Sequence, residues 1–159
     1  MIKDNHIWTY YVDPEKRIIQ HRQIPKEDWY EYMRKHIGCR LIESHKVLDN
    51  PPVRWFGDEE GLLKNEQDRY FFQFKSVQNL STEQFIPDNT RLMKKYREYY
   101  SEPYVWEFCG RGFFASYYVT DDDETLESVQ LQLWEFVQCI EFMHHGYQVE
   151  PMTEVKFFE

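Results

Sequence analysis

The chain has 159 residues, a size at which one domain buries roughly 70% of its unfolded surface and can hold a core without metal or disulfides. Its net charge of −9 disfavours nucleic acid and anionic membranes as partners, and no run reaches the roughly 18 apolar residues of a membrane span. Aromatic residues make up 18% of the chain against a hydrophobic total of 42%, so aromatic bulk replaces aliphatic bulk, and some of these rings are expected at an interface.

In chain order, the β-formers of His6 to Val12, the turn chemistry of Asp13-Pro14-Glu15-Lys16 and the alternation of Arg17 to Gln23 predict a hairpin. Pro25 suits the first turn of a helix and Glu27 and Asp28 its positive end. Trp29, Tyr32, Met33, His36 and Ile37 then recur at helical spacing before Gly38 as the stop. Strands are expected over Cys39 to Leu48 and Val53 to Phe56, with turns at Asp49-Asn50-Pro51-Pro52 and Asp58-Glu59-Glu60-Gly61, the latter leading to Leu62-Leu63-Lys64. Asp68 to Lys75, with Tyr70-Phe71-Phe72-Gln73-Phe74, reads as a strand. Ser81-x-x-Gln84 has the form of a capping box over a short helical turn, and Asp88 can cap a helix to about Tyr100.

Tyr104 to Cys109 and Phe113 to Val119 flank Gly110-Arg111-Gly112 and are expected to pair across that tight connection. The acidic run Asp121 to Glu124 is predicted to open the longest helix, in which Leu126, Val129, Leu133, Val137, Ile140 and Met143 form one stripe closed by Gly146. Regular βαβ alternation is absent. The expected fold is therefore α+β, one domain over 1–159: a mostly antiparallel sheet with about three helices on one face, the longest near the C-terminus.

The chemistry is sparse. The acidic clusters Asp58-Glu59-Glu60 and Asp121 to Glu124 read as a turn and a helix cap, because neither has the spacing of a calcium loop. Of six histidines, His144-His145 is placed at a helix C-terminus, where imidazoles bond the last carbonyls, and the Glu141 and His145 pair lacks the His-Glu-x-x-His pattern. Cys39, Cys109 and Cys139 form no Cys-x-x-Cys pair and read as buried, reduced thiols. No nucleotide-binding or nucleophile-elbow signature occurs, so the sequence predicts no catalytic residues, metal or cofactor, and more readily a binding protein than an enzyme.

Candidate binding residues come from aromatic and basic interleaving. Arg91 and Lys95 share a helix face, Tyr96 and Tyr99 follow on the same predicted helix, and Trp106, Arg111 and Tyr117 sit on or between the later strands. Met1-Ile2-Lys3-Asp4-Asn5-His6 lacks the apolar stretch of a signal peptide, which predicts a cytoplasmic protein, in the host cytoplasm if the source is viral.

The stretch from Ile24 to Lys64 resembles a family of small uncharacterised phage and plasmid proteins. Their pattern is a short helix ending in Gly, a strand, and then Asn/Asp-Glu-Glu-Gly-x-Leu-Lys. The matching segments are Trp29 to Gly38, Leu41 to Leu48 and Asp58-Glu59-Glu60-Gly61-Leu62-Leu63-Lys64, with Gly110-Arg111-Gly112-Phe113-Phe114 echoing a later Gly-aromatic strand. The family usually continues with Gly and a nearby Asn-Arg, where this chain has Asn65-Glu66-Gln67-Asp68-Arg69. The resemblance implies a mobile-element source, where small domains bind a host protein, a nucleotide signal or a nucleic-acid enzyme.

The leading expectation is a non-enzymatic interaction protein that binds and inhibits or redirects a host factor through exposed Tyr, Trp and Arg. The alternatives are a small-nucleotide binder or hydrolase and an acidic DNA mimic. Strands with large rings at consecutive positions, such as Tyr70 to Phe74 and Phe113 to Val119, further predict a homo-oligomer in which a twofold partner covers one sheet face.

Overall fold

The computed structural model describes residues 2–61, 70–78, 85–87, 104–144, 147–148 and 154–158. The segments predicted as a helical turn at Ser81 to Gln84 and as a helix from Asp88 to Tyr100 lie outside these residues, as do Leu62 to Lys64, His145 and Gly146.

The predicted hairpin forms from β1 (His6–Asp13) and β2 (Ile18–Pro25). Asp13 closes its turn, its Oδ1 accepting the backbone N–H groups of Glu15 at 3.1 Å and Lys16 at 3.3 Å. Pro25 pairs with His6 at the end of β2 rather than opening a helix. Helix α1 (Trp29–Ile37) starts four residues later and ends as predicted at Gly38, whose φ of 75° is the left-handed conformation that glycine adopts at least cost and whose N–H returns to Arg34 O at 2.9 Å. A second hairpin follows, β3 (Ile42–Asp49) and β4 (Pro52–Asp58), with a bulge between Lys46 and Leu48.

The remaining strands are β5 (Tyr70–Gln78), β6 (Phe85–Pro87), β7 (Tyr104–Cys109), β8 (Gly112–Val119), β9 (Glu124–Glu127), β10 (Ile140–His144), β11 (Tyr147–Gln148) and β12 (Glu154–Phe158), with helix α2 (Leu133–Cys139) before β10. They form two sheets. The first runs β12-β2-β1-β8-β4-β3, with β9 also on β8; the second runs β11-β10-β5-β6, with β7 also on β5. Among the described pairs only β12 with β2 is parallel, so the expectation of a mostly antiparallel α+β fold holds. The described residues contain two helices rather than three, and the longer is α1.

Two sequence expectations fail, for identifiable reasons. Strands β7 and β8 do not pair; they belong to different sheets, and Gly110, at φ 83°, turns the chain from one layer to the other. This crossing lets Phe108 and Phe114 meet face to edge inside the sandwich, with ring centroids 6.2 Å apart, instead of lying side by side in one sheet. The long C-terminal helix is also absent. Thr120 and Asp123 close a hairpin between β8 and β9: the Thr120 N–H donates to Asp123 O at 2.8 Å, and its Oγ1 donates to the same carbonyl. The acidic run is thus a turn, not a helix cap. Only Leu133–Cys139 is helical, its start marked by the Gln132 N–H donating to Glu135 Oε1 at 3.3 Å. Ile140 is already extended, and Ile140 and Phe142 pair with Phe74 and Phe72. His144 accordingly ends strand β10 and does not adjoin a helix C-terminus.

The two sheets and α1 make three layers with a core in each gap. Between the sheets lie Tyr10, Val12, Ile19, Val53, Trp55 and Phe114 from the first sheet, Phe72, Phe74, Phe108, Ile140 and Phe142 from the second, and Phe136 of α2. On the other face of the first sheet, Ile7, Tyr11, Ile24, Phe56, Phe113 and Ala115 pack against Met33 and Ile37 of α1. The consecutive rings of β8 are therefore accounted for: Phe113 enters one core and Phe114 the other. Both faces of the first sheet are covered within the chain, so the consecutive rings of β8 supply no argument for a twofold partner. Among the described residues no helix is long and apolar enough to cross a membrane.

Candidate aromatic binding groove

At one side of the sandwich the sheets end in β3 and β7. Among the described residues, β3 pairs only with β4, and β7 only with β5. Register determines what these edges present. His45 stands opposite Trp55, so both face the second sheet, while Trp106 and Phe108 stand opposite Phe74 and Phe72 and face the first. Between the edges lies a groove of about 380 Å³, within the usual range for ligand sites.

Its floor is apolar and rigid. Trp55 is 1% exposed and Phe108 4%, and their rings stack at 4.1 Å between centroids and 19° between planes. The walls are open to solvent: Trp106 is 36% exposed and lies parallel to Phe108 within 4° at 6.1 Å, and His45 is 6.0 Å from both Trp55 and Trp106. Trp55 and Trp106 thus both stack on Phe108, while His45 is tilted 14° from Trp55 and 31° from Trp106.

Among the described residues, the charged groups here are acidic. The Glu43 carboxylate lies on the same face of β3, with Oε2 3.6 Å from His45 Nε2, and Asp58 lies at the end of the groove. Asp58 spends one oxygen on the turn, accepting the Glu60 N–H at 2.9 Å, which confirms the turn reading of that acidic cluster. Glu107 also borders the groove, but register turns it to the opposite face of β7, where it accepts a hydrogen bond from Gln73 at 3.3 Å. Cys109 is buried, its Sγ donating to Gly61 O at 3.4 Å, which gives it no role as an exposed nucleophile. All three cysteines are buried, and none forms a disulfide; burial, assisted by Asp58, pushes the Cys39 thiol upward from its ordinary pKa.

The candidate residues read from the sequence do not converge on one site. Arg91, Lys95, Tyr96 and Tyr99 lie outside the described residues. Trp106 forms a wall of the groove. Arg111 lies in a smaller adjoining hollow that shares Asp58, Gly61 and Cys109 with the groove, and its Nη2 donates to Ile37 O at 2.8 Å, capping the C-terminus of α1. It also bonds the Tyr11 hydroxyl, whose pKa is raised chiefly by burial and also by Asp13, with Arg111 opposing the rise. Tyr117 lies on the α1 side of the first sheet under the Arg54 guanidinium, 5.5 Å from its ring centre, and its hydroxyl donates to Glu124, which raises its pKa. Arg111 and Tyr117 therefore have structural partners, and of the described candidates only Trp106 faces the groove.

Sequence reasoning missed His45, Trp55, Phe108 and Glu43. Their only signal was alternation within β3 and β7, which says that residues share a face but not that two faces meet. Among the described residues, no three His, Cys, Asp or Glu side chains gather as a metal site. No protein-family model, curated protein or solved structure matches the chain.

Proposed function

We propose that this is a non-enzymatic binding protein that engages a segment of a protein partner in the groove between β3 and β7. The carrying observation is the cluster of Trp106 and Trp55 stacked on Phe108 with His45 beside them, set between two sheet edges. A rigid buried floor loses little entropy when a ligand docks, and exposed ring walls offer apolar area that a partner can cover. Edge strands add backbone donors and acceptors suited to an extended peptide. On the same face of β7 as Trp106, Tyr104 is exposed and lengthens this surface.

The groove supports this reading over nucleotide binding, since Glu43 and Asp58 would oppose a phosphate. It also supports it over DNA mimicry. Acids on the described surface are interleaved with bases in pairs such as Glu31 with Arg34, Asp49 with Lys46 and Glu127 with Lys26, which interrupts any phosphate-like acidic stripe. In keeping with the phage and plasmid resemblance, the partner is a host factor whose activity the docked protein blocks or redirects.

The test is affinity capture from host lysate with the wild-type chain, Trp106→Ala, and Trp134→Ala as a control whose ring is 58% exposed on α2, away from the groove. A stoichiometric partner retained by wild type and Trp134→Ala but lost by Trp106→Ala is expected. Equal recovery by all three would remove the groove from the function.

A further inference from the structure

We infer that the group taken by the groove is the guanidinium of an arginine on the partner; this inference rests on the docking reading above. Three features converge. The exposed wall rings of Trp106 and His45 lie 6.0 Å apart at 31°, so a flat group can lie along the ring faces. A guanidinium is flat, stacks on aromatic faces and sheds water more readily than an ammonium. Among the described residues, the charged side chains at the groove are the carboxylates Glu43 and Asp58, with Glu107 at its border, in a chain of net charge −9, so the local and long-range fields both favour a cation.

Arginine is preferred over lysine on geometry. Glu43 lies beside the His45 ring, so a guanidinium stacked there can keep its plane against the rings while directing N–H donors to the carboxylate edge. A lysine ammonium is a compact point charge that would satisfy only one of these contacts at a time. An acidic or phosphorylated partner would meet repulsion from the same two carboxylates.

The experiment uses the full chain, isotopically labelled, and three capped tripeptide probes: acetyl-Thr-Arg-Thr-amide and its citrulline and lysine counterparts. Citrulline keeps the planar shape without the charge. Each is titrated to millimolar concentration at low salt while the indole N–H resonances of Trp106 and Trp55 are followed. The arginine peptide is expected to shift both saturably, with citrulline about tenfold weaker, the combined scale of one exposed cation–π contact and one ion pair. Lysine should fall between them. Glu43→Gln, a change at a half-exposed site compatible with folding, should remove the ion-pair share and cut the difference between arginine and citrulline to about threefold. Equal binding of arginine and citrulline would overturn the charge inference and leave the groove as a docking site. Absence of any groove shift with all three would also overturn the inference, and the Trp106→Ala capture would then judge the docking reading separately.

Discussion

Gly57 and Gly112 face each other in the β4–β8 register, and the Trp55 indole occupies the space that their missing side chains leave. A Cβ at Gly112 would lie 2.2 Å from Trp55 Nε1, and one at Gly57 2.0 Å from its Cζ2. Gly112→Ala should therefore displace the groove floor and cost about 1–3 kcal/mol, measured by urea unfolding, whereas an unchanged midpoint would contradict this packing. Titration gives a second residue-scale prediction. His21 lies against Trp8 and Tyr10, with centroids 4.2 and 5.0 Å away, and burial lowers its pKa from 6.5. The unfolded chain then binds this proton more readily than the folded one, so stability is full above that ordinary value and is lost as pH falls through it toward the folded pKa. His36, lowered by burial and by Arg22, acts in the same direction. The unfolding midpoint should fall between about pH 7.5 and about pH 5.5, and His21→Gln should reduce that fall; an identical pH dependence in the variant would exclude His21 as its source. None of this was legible in the sequence. A glycine opposite a glycine, or a histidine between two rings, becomes visible only when strands are in register.

Where turn and cap chemistry was local, the elements were legible. Asp13 closing the first hairpin, Gly38 ending α1 and the Asp49 to Pro52 turn all act within a few residues, and each was found where the sequence placed it. The failures are non-local. The apolar stripe from Leu126 to Met143 fits a helical period, yet Ile140 and Phe142 gain more by pairing with β5, and strand pairing overrides the period. Likewise Gly110-Arg111-Gly112 resembles a hairpin turn, but the rings on either side face each other across the sandwich, which no local rule encodes. Helix α2 offers a clean contrast for measurement: Phe136 is fully buried against Tyr10 and Phe114, and Trp134 is exposed one turn-side away. Phe136→Ala should cost about 3–5 kcal/mol and Trp134→Ala within about 0.5 kcal/mol. Similar losses at both positions would refute the placement of this helix.

The high aromatic content has a structural explanation at the scale of the whole molecule. A sheet with a core on each face needs large residues at consecutive strand positions, and Tyr10-Tyr11, Trp55-Phe56 and Phe113-Phe114 each send one ring to either side. For β8, the expectation of a homo-oligomer rested on one of those faces being open. With both covered, light scattering at micromolar concentration should give the mass of one chain, 19.7 kDa, and a dimeric mass would place further aromatic surface at an interface. The rings left at solvent on β7 and β3 then form the groove that the account treats as the docking surface. Its existence was only partly legible: Trp106 stood out in the sequence, but the meeting of two sheet edges did not. The most direct test places a photo-reactive phenylalanine at Trp106 in one variant and at Trp134 in another, and irradiates each in host cells. The account predicts one discrete protein adduct from position 106 and none from position 134. Adducts from position 134 alone, or the same adducts from both, would contradict it.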